Sequence, residues 1–388
     1  MRRIPRTVWA LGLVSLFMDI SSEMIHALLP LYLVTTLGAS TLAVGIIEGI
    51  AEATASITKV FSGALSDWIG RRKLLAVVGY GLATVTKPVF AIADTIGVVI
   101  GARFLDRVGK GIRGAPRDAL IADVTPEQLR GAAYGLRQSM DTVGAFVGPL
   151  LAIALMAITA DAFRTVFWIA TIPALVAMTI LVIGVREPAR GTSEVKRPAP
   201  RLSDVLRMET AFWGVVIVAS MLTLARFSEA FLLLRAHDVG VRFALVPMVL
   251  VAMNVAYAMA AYPAGVLADR FGRRVVVSAG ILFLVIADLI LAFGGTISMM
   301  LVGVVFWGLH MGFTQGLFAA LVADTAPAHL RGSAFGLFNL AIGLAMLAAS
   351  VIAGALWDRH GPQATFLAGA GFTVLSLLGV LRIGGRRV

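Results

Sequence analysis

The chain contains no cysteine among its 388 residues, which excludes disulfides, thiolate nucleophiles and cysteine metal sites without fixing a compartment. Charge is scarce too, at 14% Asp, Glu, Lys and Arg against about a quarter in soluble domains. No Gly-x-x-x-x-Gly-Lys-Ser/Thr loop occurs, so the phosphate cradle of a P-loop ATPase is missing and no nucleotide cofactor is implied. No His-rich cluster or nucleophile with an adjacent base appears, which argues against an enzyme. No polar stretch is long enough for an appended signalling domain.

What the chain has instead is apolar length. Hydrophobic residues make up 59% and the mean hydropathy is +0.91. The runs last about 20 residues, which at about 1.5 Å per helical residue crosses a hydrocarbon layer of about 30 Å. Helices are the reading, because unpaired backbone groups are not tolerated against lipid and no short alternating segments suggest a barrel. Runs bounded by Gly, Pro and charge predict twelve spans, roughly 8–35, 41–65, 74–93, 98–118, 131–158, 165–185, 211–234, 243–267, 275–293, 298–323, 333–356 and 364–382. The Met-Arg-Arg start resembles a signal peptide, but its run continues through acidic residues to about Tyr32 and reads as the first span.

The net charge of +11 is distributed in alternate connections. Arg2, Arg3 and Arg6 open the chain; Arg71, Arg72 and Lys73 follow span 2; Arg186 to Arg207 fill the centre; Arg270, Arg273 and Arg274 follow span 8; Arg382, Arg386 and Arg387 close it. The other connections are short and carry few cations, Arg164, Arg235, Arg242 and Arg359 among them. The asymmetry predicts a multi-pass protein of the cytoplasmic (inner) membrane with both termini and the central loop cytoplasmic. A nucleic-acid surface would be contiguous and laced with aromatics, so no nucleic-acid partner is expected.

The chain is built twice. Gly63-Ala64-Leu65-Ser66-Asp67-Trp68-Ile69-Gly70-Arg71-Arg72 returns 202 positions later as Gly265-Val266-Leu267-Ala268-Asp269-Arg270-Phe271-Gly272-Arg273-Arg274. Ala122-Asp123-Val124-Thr125-Pro126-Glu127-Gln128-Leu129-Arg130-Gly131 returns 201 positions on, from Ala323 to Gly332. The expected organisation is an N-terminal six-helix bundle over 1–186, a Pro-rich cytoplasmic linker over 187–209 and a C-terminal six-helix bundle over 210–388. Thr125, Pro126 and Gln128 read as a capping-box start for span 5 or a short helix before it.

The repeated Gly-x-Leu-x-Asp-x-x-Gly-Arg-Arg resembles the signature loop of the major facilitator superfamily, and the resemblance covers essentially the whole chain. Arg103 with Gly109, Gly111 and Gly114 is similar to the span 4 motif of proton-coupled members. Gly144-Ala145-Phe146-Val147-Gly148-Pro149 resembles the span 5 motif of drug-proton antiporters, although Leu151 and Ala152 stand where that motif has two glycines. Asp19-Ile20-Ser21-Ser22-Glu23-Met24 is outside the common exporter pattern. The resemblance implies an all-α fold of twelve transmembrane helices in two pseudo-symmetric bundles, and alternating access around a site between them.

Charged residues inside the spans are the candidate site, since such groups are expensive in a bilayer and mark ion or cargo paths. Asp19, Glu23 and His26 recur at i, i+4 and i+7 on span 1, and Glu48, Glu52 and Lys59 share a face of span 2. Arg103 and Asp106 on span 4 and Arg137 and Asp141 on span 5 add opposite charges that neutralise across helices. Arg113, Arg117 and Arg130 read as anchors rather than cargo contacts. The second half has Arg226 and Glu229, Asn254 and Tyr257, Asp288, His310 and Gln315, and Asn339; His310 reads first as a structural residue. Phe306, Trp307 and Phe313 are able to line a cargo pocket, but lipid-facing or packing roles are the default reading on a membrane helix. A latch that sets the inward to outward balance is expected at Gly63, Asp67, Gly70 and Arg71, at Gly265, Asp269, Gly272 and Arg273, at Asp123 and Arg130, and at Gly144, Gly148 and Pro149.

The leading expectation is a monomeric secondary transporter exporting a small organic or amphipathic compound in exchange for protons. Export of a divalent metal or chelate through Asp19, Glu23 and His26 is the second reading, and uptake of an anionic metabolite, motivated by the arginines, is the third.

Overall fold

Residues 4–69, 71–126, 129–187, 208–325 and 331–383 are described by a computed structural model, and among them no strand occurs. The helices are α1 (Arg6–His26), α2 (Thr41–Ile69), α3 (Arg72–Ile92), α4 (Ile96–Val124), α5 (Arg130–Ile158) and α6 (Phe163–Gly184), then α7 (Thr210–Ala225), α8 (Ala230–Asp238), α9 (Met248–Phe271), α10 (Arg273–Phe293), α11 (Ile297–Thr325) and α12 (Arg331–Ile383). Ten helical stretches among the described residues are long and apolar enough to cross a membrane. Ile158, Ile183 and Met259 stand 80%, 75% and 72% exposed. In water such faces would be sticky patches; in lipid they match the solvent.

The helices break where local chemistry offers an alternative partner. After α1 the chain turns at Ala27 and Leu28, resumes for one turn at Leu29–Leu31 and widens over Tyr32–Thr36; Pro30 at this restart lacks an N–H to continue the ladder. Span 7 was expected to be continuous and is not: α7 ends at Ala225, and α8 starts at Ala230. No proline or glycine lies in the gap. Ser228 makes the break, its Oγ accepting from Ala230 N at 3.2 Å while its own N–H donates to Ser350 Oγ at 3.3 Å. Phe227 wedges there against Phe231, Trp307 and Phe366, with ring centroids 5.3, 5.6 and 5.4 Å away. Spans 11 and 12 run together as α12, interrupted by Gly361 at φ 80°.

The described chain divides into two compact units. The first comprises 1–39, 50–195 and 243–248; the second comprises 40–49, 196–242 and 249–388. The first nine residues of α2 thus lie in the second unit, and the segment 243–248 lies in the first. Residues 188–207 of the central linker fall outside the described residues, as do Glu127 and Gln128 of the expected capping box; α5 is entered through Leu129, whose N–H donates to Pro126 O at 2.9 Å.

The first unit's interior is set by α1, α3, α4 and α6, with Leu11, Val14, Tyr80, Leu120 and Leu181 fully enclosed. A missing side chain lets α3 and α4 touch: a Cβ on Gly109 would lie 2.6 Å from Gly79 O and 3.1 Å from Ala83 N. Both are backbone atoms and have nowhere to go. Gly109→Ala is therefore expected to lower stability by about 1–3 kcal/mol, while Gly114→Ala, where nothing lies within 4 Å, leaves it unchanged or raises it by up to about 1 kcal/mol. Thermal unfolding of the two purified variants checks this, and equal midpoints would contradict the packing.

Candidate functional site

Two glycines of span 5 build the floor of the candidate site. A Cβ at Gly144 would lie 2.8 Å from Leu16 O and 2.9 Å from Asp19 Cβ, and one at Gly148 would lie 2.6 Å from Glu23 Cβ. These residues were expected in a latch; in the structure they let α5 press against the acidic face of α1. Pro149 follows inside α5 without ending it.

On that face Glu23 Oε2 lies 3.3 Å from His26 Nδ1, and the electrostatic neighbours of Glu23 include Lys110 and Arg107 of α4. Asp19 faces Asp141, Arg113, Lys110 and Arg117. Glu52 of α2 meets Arg107, Oε1 to Nη1 at 3.5 Å, with Lys110, Arg103 and His26 near it. Arg107 also leans toward Asp106, Nε to Oδ2 at 3.9 Å. Asp106 in turn accepts from Lys87 Nζ at 2.9 Å, and Lys87 donates to Ser22 Oγ at 3.0 Å. The chain of charges runs from Glu52, 38% exposed, to Lys87, 1% exposed.

A second set joins α5 to α4. Arg137 Nη1 lies 2.9 Å from Asp141 Oδ2 and 3.7 Å from Asp118 Oδ1. Arg117 donates to Asp118 at 3.1 Å and to Ser15 Oγ at 2.9 Å. Arg113 stacks on the Tyr80 ring at 4.6 Å. Arg117 thus reaches α1 and Arg113 reaches α3.

The sequence reading missed Lys87. Its signal was a lysine in mid-run, between Thr86 and Pro88 of an otherwise apolar span. Tyr80 and Ser15 were missed as well, since a tyrosine or serine in a span carries no charge to flag it, and Asp118 was missed because it stands at the predicted end of span 4, where a charge needs no partner. The expected face Glu48, Glu52 and Lys59 does not hold together: Glu48 is 1% exposed in the second unit, Glu52 belongs to the network above, and Lys59 is exposed and in none of the described ion pairs. Asp123 pairs at 2.8 Å with Arg72, the last residue of the first signature loop.

In the second unit, Asp288 and His310 are fully buried. Asp288 has the Thr373 hydroxyl beside it, and His310 Nδ1 lies 2.8 Å from Gly280 O with Arg226 as its charged neighbour. Glu229 stands at the head of α8 beyond the break, and Asn254, Tyr257 and Asn339 are half-buried. Trp307 packs on Phe227, and Phe283 packs on Phe306 and Phe313, which gives these aromatics the packing role expected first. Gly272 takes φ 88° at the entry to α10 and Arg71 precedes α3, exposed. Gly70 and the side-chain positions of Gly63, Asp67, Arg130, Gly265, Asp269, Arg273 and Gln315 lie outside the described residues. Among the described residues no group of three His, Asp or Glu side chains is arranged to hold a metal ion, so the metal reading has no geometric support.

A family model described as Major Facilitator Superfamily matches residues 11–239 and 230–387. The chain belongs to that superfamily. It is 30% identical over 391 residues, covering 98% of this chain and 96% of the relative, to an uncharacterized MFS-type transporter of Methanocaldococcus jannaschii. It is 23% identical to the cis,cis-muconate transport protein of Acinetobacter baylyi, over 86% of this chain and 84% of that one. A crystal structure of a peptide transporter superposes with a TM-score of 0.80 over 98% of this chain and 95% of the other, at 14% identity, which shows the shared fold. The protein is a multi-pass membrane transporter with a small-molecule cargo, and not an enzyme.

The Lys87–Asp106 pair gives the sharpest test of this geometry. Lys87→Met leaves Asp106 buried with a weakened partner set and is expected to destabilise by roughly 3–5 kcal/mol, whereas Lys87→Met with Asp106→Leu recovers most of the loss. Denaturation of both variants in detergent measures it, and a single variant as stable as the parent would show the pair to be unimportant.

Proposed function

We propose that the protein is a proton-coupled secondary transporter that exports a small organic compound by alternating access. In this reading twelve spans form two six-helix bundles in the cytoplasmic membrane, a monomer suffices, and both termini are cytoplasmic. The single observation that carries the proton part is the graded chain Glu52–Arg107–Asp106–Lys87 in the first unit. Its outer member is partly exposed and its inner member is buried.

The physics of exchange is simple. An ionised Glu52 holds Arg107; a proton on Glu52 cancels that attraction, and Arg107 is left with Asp106, which it already approaches. Asp106 then divides itself between two cations, and Lys87 loosens its hold between Asp106 and Ser22. Asp19 and Asp141, two acids in mutual range beside Arg137, offer a second place where one proton changes a partner. The first exchange gives up a pairing between α2 and α4 for one within α4 and loosens the pairing between α4 and α3, which is how a local charge event biases a helix arrangement.

A second reading has one observation in its favour. Lys110 is exposed beside Arg107, a pair of cations suited to a carboxylate, and a relative moves cis,cis-muconate. Proton-coupled uptake of an organic anion is therefore the alternative cargo assignment.

Liposomes with an imposed pH gradient separate these readings, loaded in one arm with a cationic amphipathic dye and in the other with cis,cis-muconate. Flux in one arm is expected to collapse at least about tenfold in Glu52→Gln and in Asp19→Asn while the protein remains folded, since each change removes a group able to take and release a proton. Wild-type flux in both variants would reject proton coupling through this network.

A further inference from the structure

The signature loop occurs a third time. Gly354-Ala355-Leu356-Trp357-Asp358-Arg359-His360-Gly361 repeats the Gly-x-Leu-x-Asp-x-x-Gly frame of 63–70 and 265–272, with the Arg of the second copy also in place. It lies at the junction of spans 11 and 12, and the charge asymmetry puts that junction on the face opposite the other two copies. Here every side chain of the motif is described.

Each position of the frame has a visible task. Gly361 takes φ 80° and turns the chain, as Gly272 does at φ 88° in the second copy. Gly354 allows contact, because a Cβ there would lie 2.6 Å from Thr41 O and 2.7 Å from Leu42 Cα. Asp358 caps the start of α2: Thr41 N donates to Oδ1 at 2.9 Å and Leu42 N donates to Oδ2 at 2.9 Å. The Thr41 hydroxyl donates to the same Oδ1. The next amide, Ala43 N, is taken at 3.1 Å by Ser40 Oγ, and Val44 N by Ser40 O at 3.1 Å. Every N–H of the first turn of α2 thus has an acceptor, and two of them depend on Asp358. A carboxylate at this end of a helix also gains from the aligned peptide dipoles.

The packing behind the cap follows the same line. A Cβ at Gly45 would meet Ser350 O at 2.1 Å, and one at Gly49 would meet Leu347 Cα at 3.0 Å. Thr41, Gly45 and Gly49, one helical turn apart, are laid against Gly354, Ser350 and Leu347. Residues 40–49 belong with the second unit, whereas the rest of α2 from Ile50 onward belongs with the first.

We propose that Asp358 is a positioning residue for transport: the third signature copy is a clasp on the non-cytoplasmic face that fixes the head of α2 to the second unit in this state and releases it in the state that opens on that face. The inference rests on alternating access but on neither the coupling ion nor the cargo. A carboxylate clamped on two amides and a hydroxyl breaks as a unit, since loss of one contact exposes the others to water. That gives a two-position element rather than a graded one.

The absence of cysteine makes the test direct. Ser350, fully buried behind the clasp, is replaced by Ser350→Cys, and a membrane-impermeant thiol reagent is added from the non-cytoplasmic side of cells or right-side-out vesicles. Adding Asp358→Ala is expected to raise the labelling rate roughly fivefold or more, the population change that loss of a charge–dipole cap implies. Asp358→Asn, which keeps one acceptor, falls between, and Thr41→Val, which removes only the hydroxyl contact, gives a smaller rise. Should Asp358→Ala fail to fold, the other two variants decide. Unchanged labelling in the folded variants overturns the clasp; so does a rise matched by labelling from the cytoplasmic side, which would mean general loosening. No pH gradient or cargo enters the experiment, so its outcome is separate from that of the proton-coupling test.

Discussion

A charge in the interior of a bilayer must bring its partner with it, and that requirement organises the first unit. Desolvation of a lone carboxylate or ammonium is far too expensive to tolerate, whereas a pair with satisfied hydrogen bonds comes close to breaking even. Lys87 and Asp106 meet that condition at 2.9 Å, with Ser22 taking a further ammonium proton. Such a pair adds little to stability compared with an apolar core. What it adds is a choice of partners, and Arg107 reaches both Glu52 and Asp106.

The second requirement is close approach, because helices in lipid gain from contact rather than from expulsion of water. Glycine supplies it repeatedly, and at the points that matter chemically. Gly144 and Gly148 seat α5 on α1 beside Asp19 and Glu23, whose carboxyl groups face the cations of α4. In the second unit the same device sets the head of α2 against α12, where Asp358 completes the turn. Polar contact and small-residue packing therefore occur at the same places.

Much of this was legible in the sequence, for physical reasons. A run of about 20 apolar residues has one use, and an acid repeated at i and i+4 inside it has few; hence the all-helical membrane fold and the places of Asp19, Glu23, Glu52, Arg137 and Asp141 within it were readable. The double build was visible because Asp67 and Asp269 sit in near-identical frames. The break at Ser228 was not readable, because no Pro or Gly marks it and the competing hydrogen bond comes from Ser350, far along the chain. The pairing of Arg72 with Asp123 was hidden because both look like loop charges. Lys87 was hidden in the opposite way, a lone charge whose partner is on the next helix. The division of Glu48 from Glu52 depends on where a single helix passes from one unit to the other, which periodicity does not encode.

The central claim is that protons taken up by the first unit's carboxylates change which helix arrangement is favoured. Spin labels attached through cysteines placed at the exposed ends of spans in this cysteine-free chain report that balance without a cargo. Pulsed electron-spin distances between the labels, measured in lipid at acidic and alkaline pH, should show two populations whose ratio moves with pH in the parent and stays fixed when Glu52→Gln and Asp19→Asn are combined. Distance distributions that are the same at every pH in the parent would contradict the account.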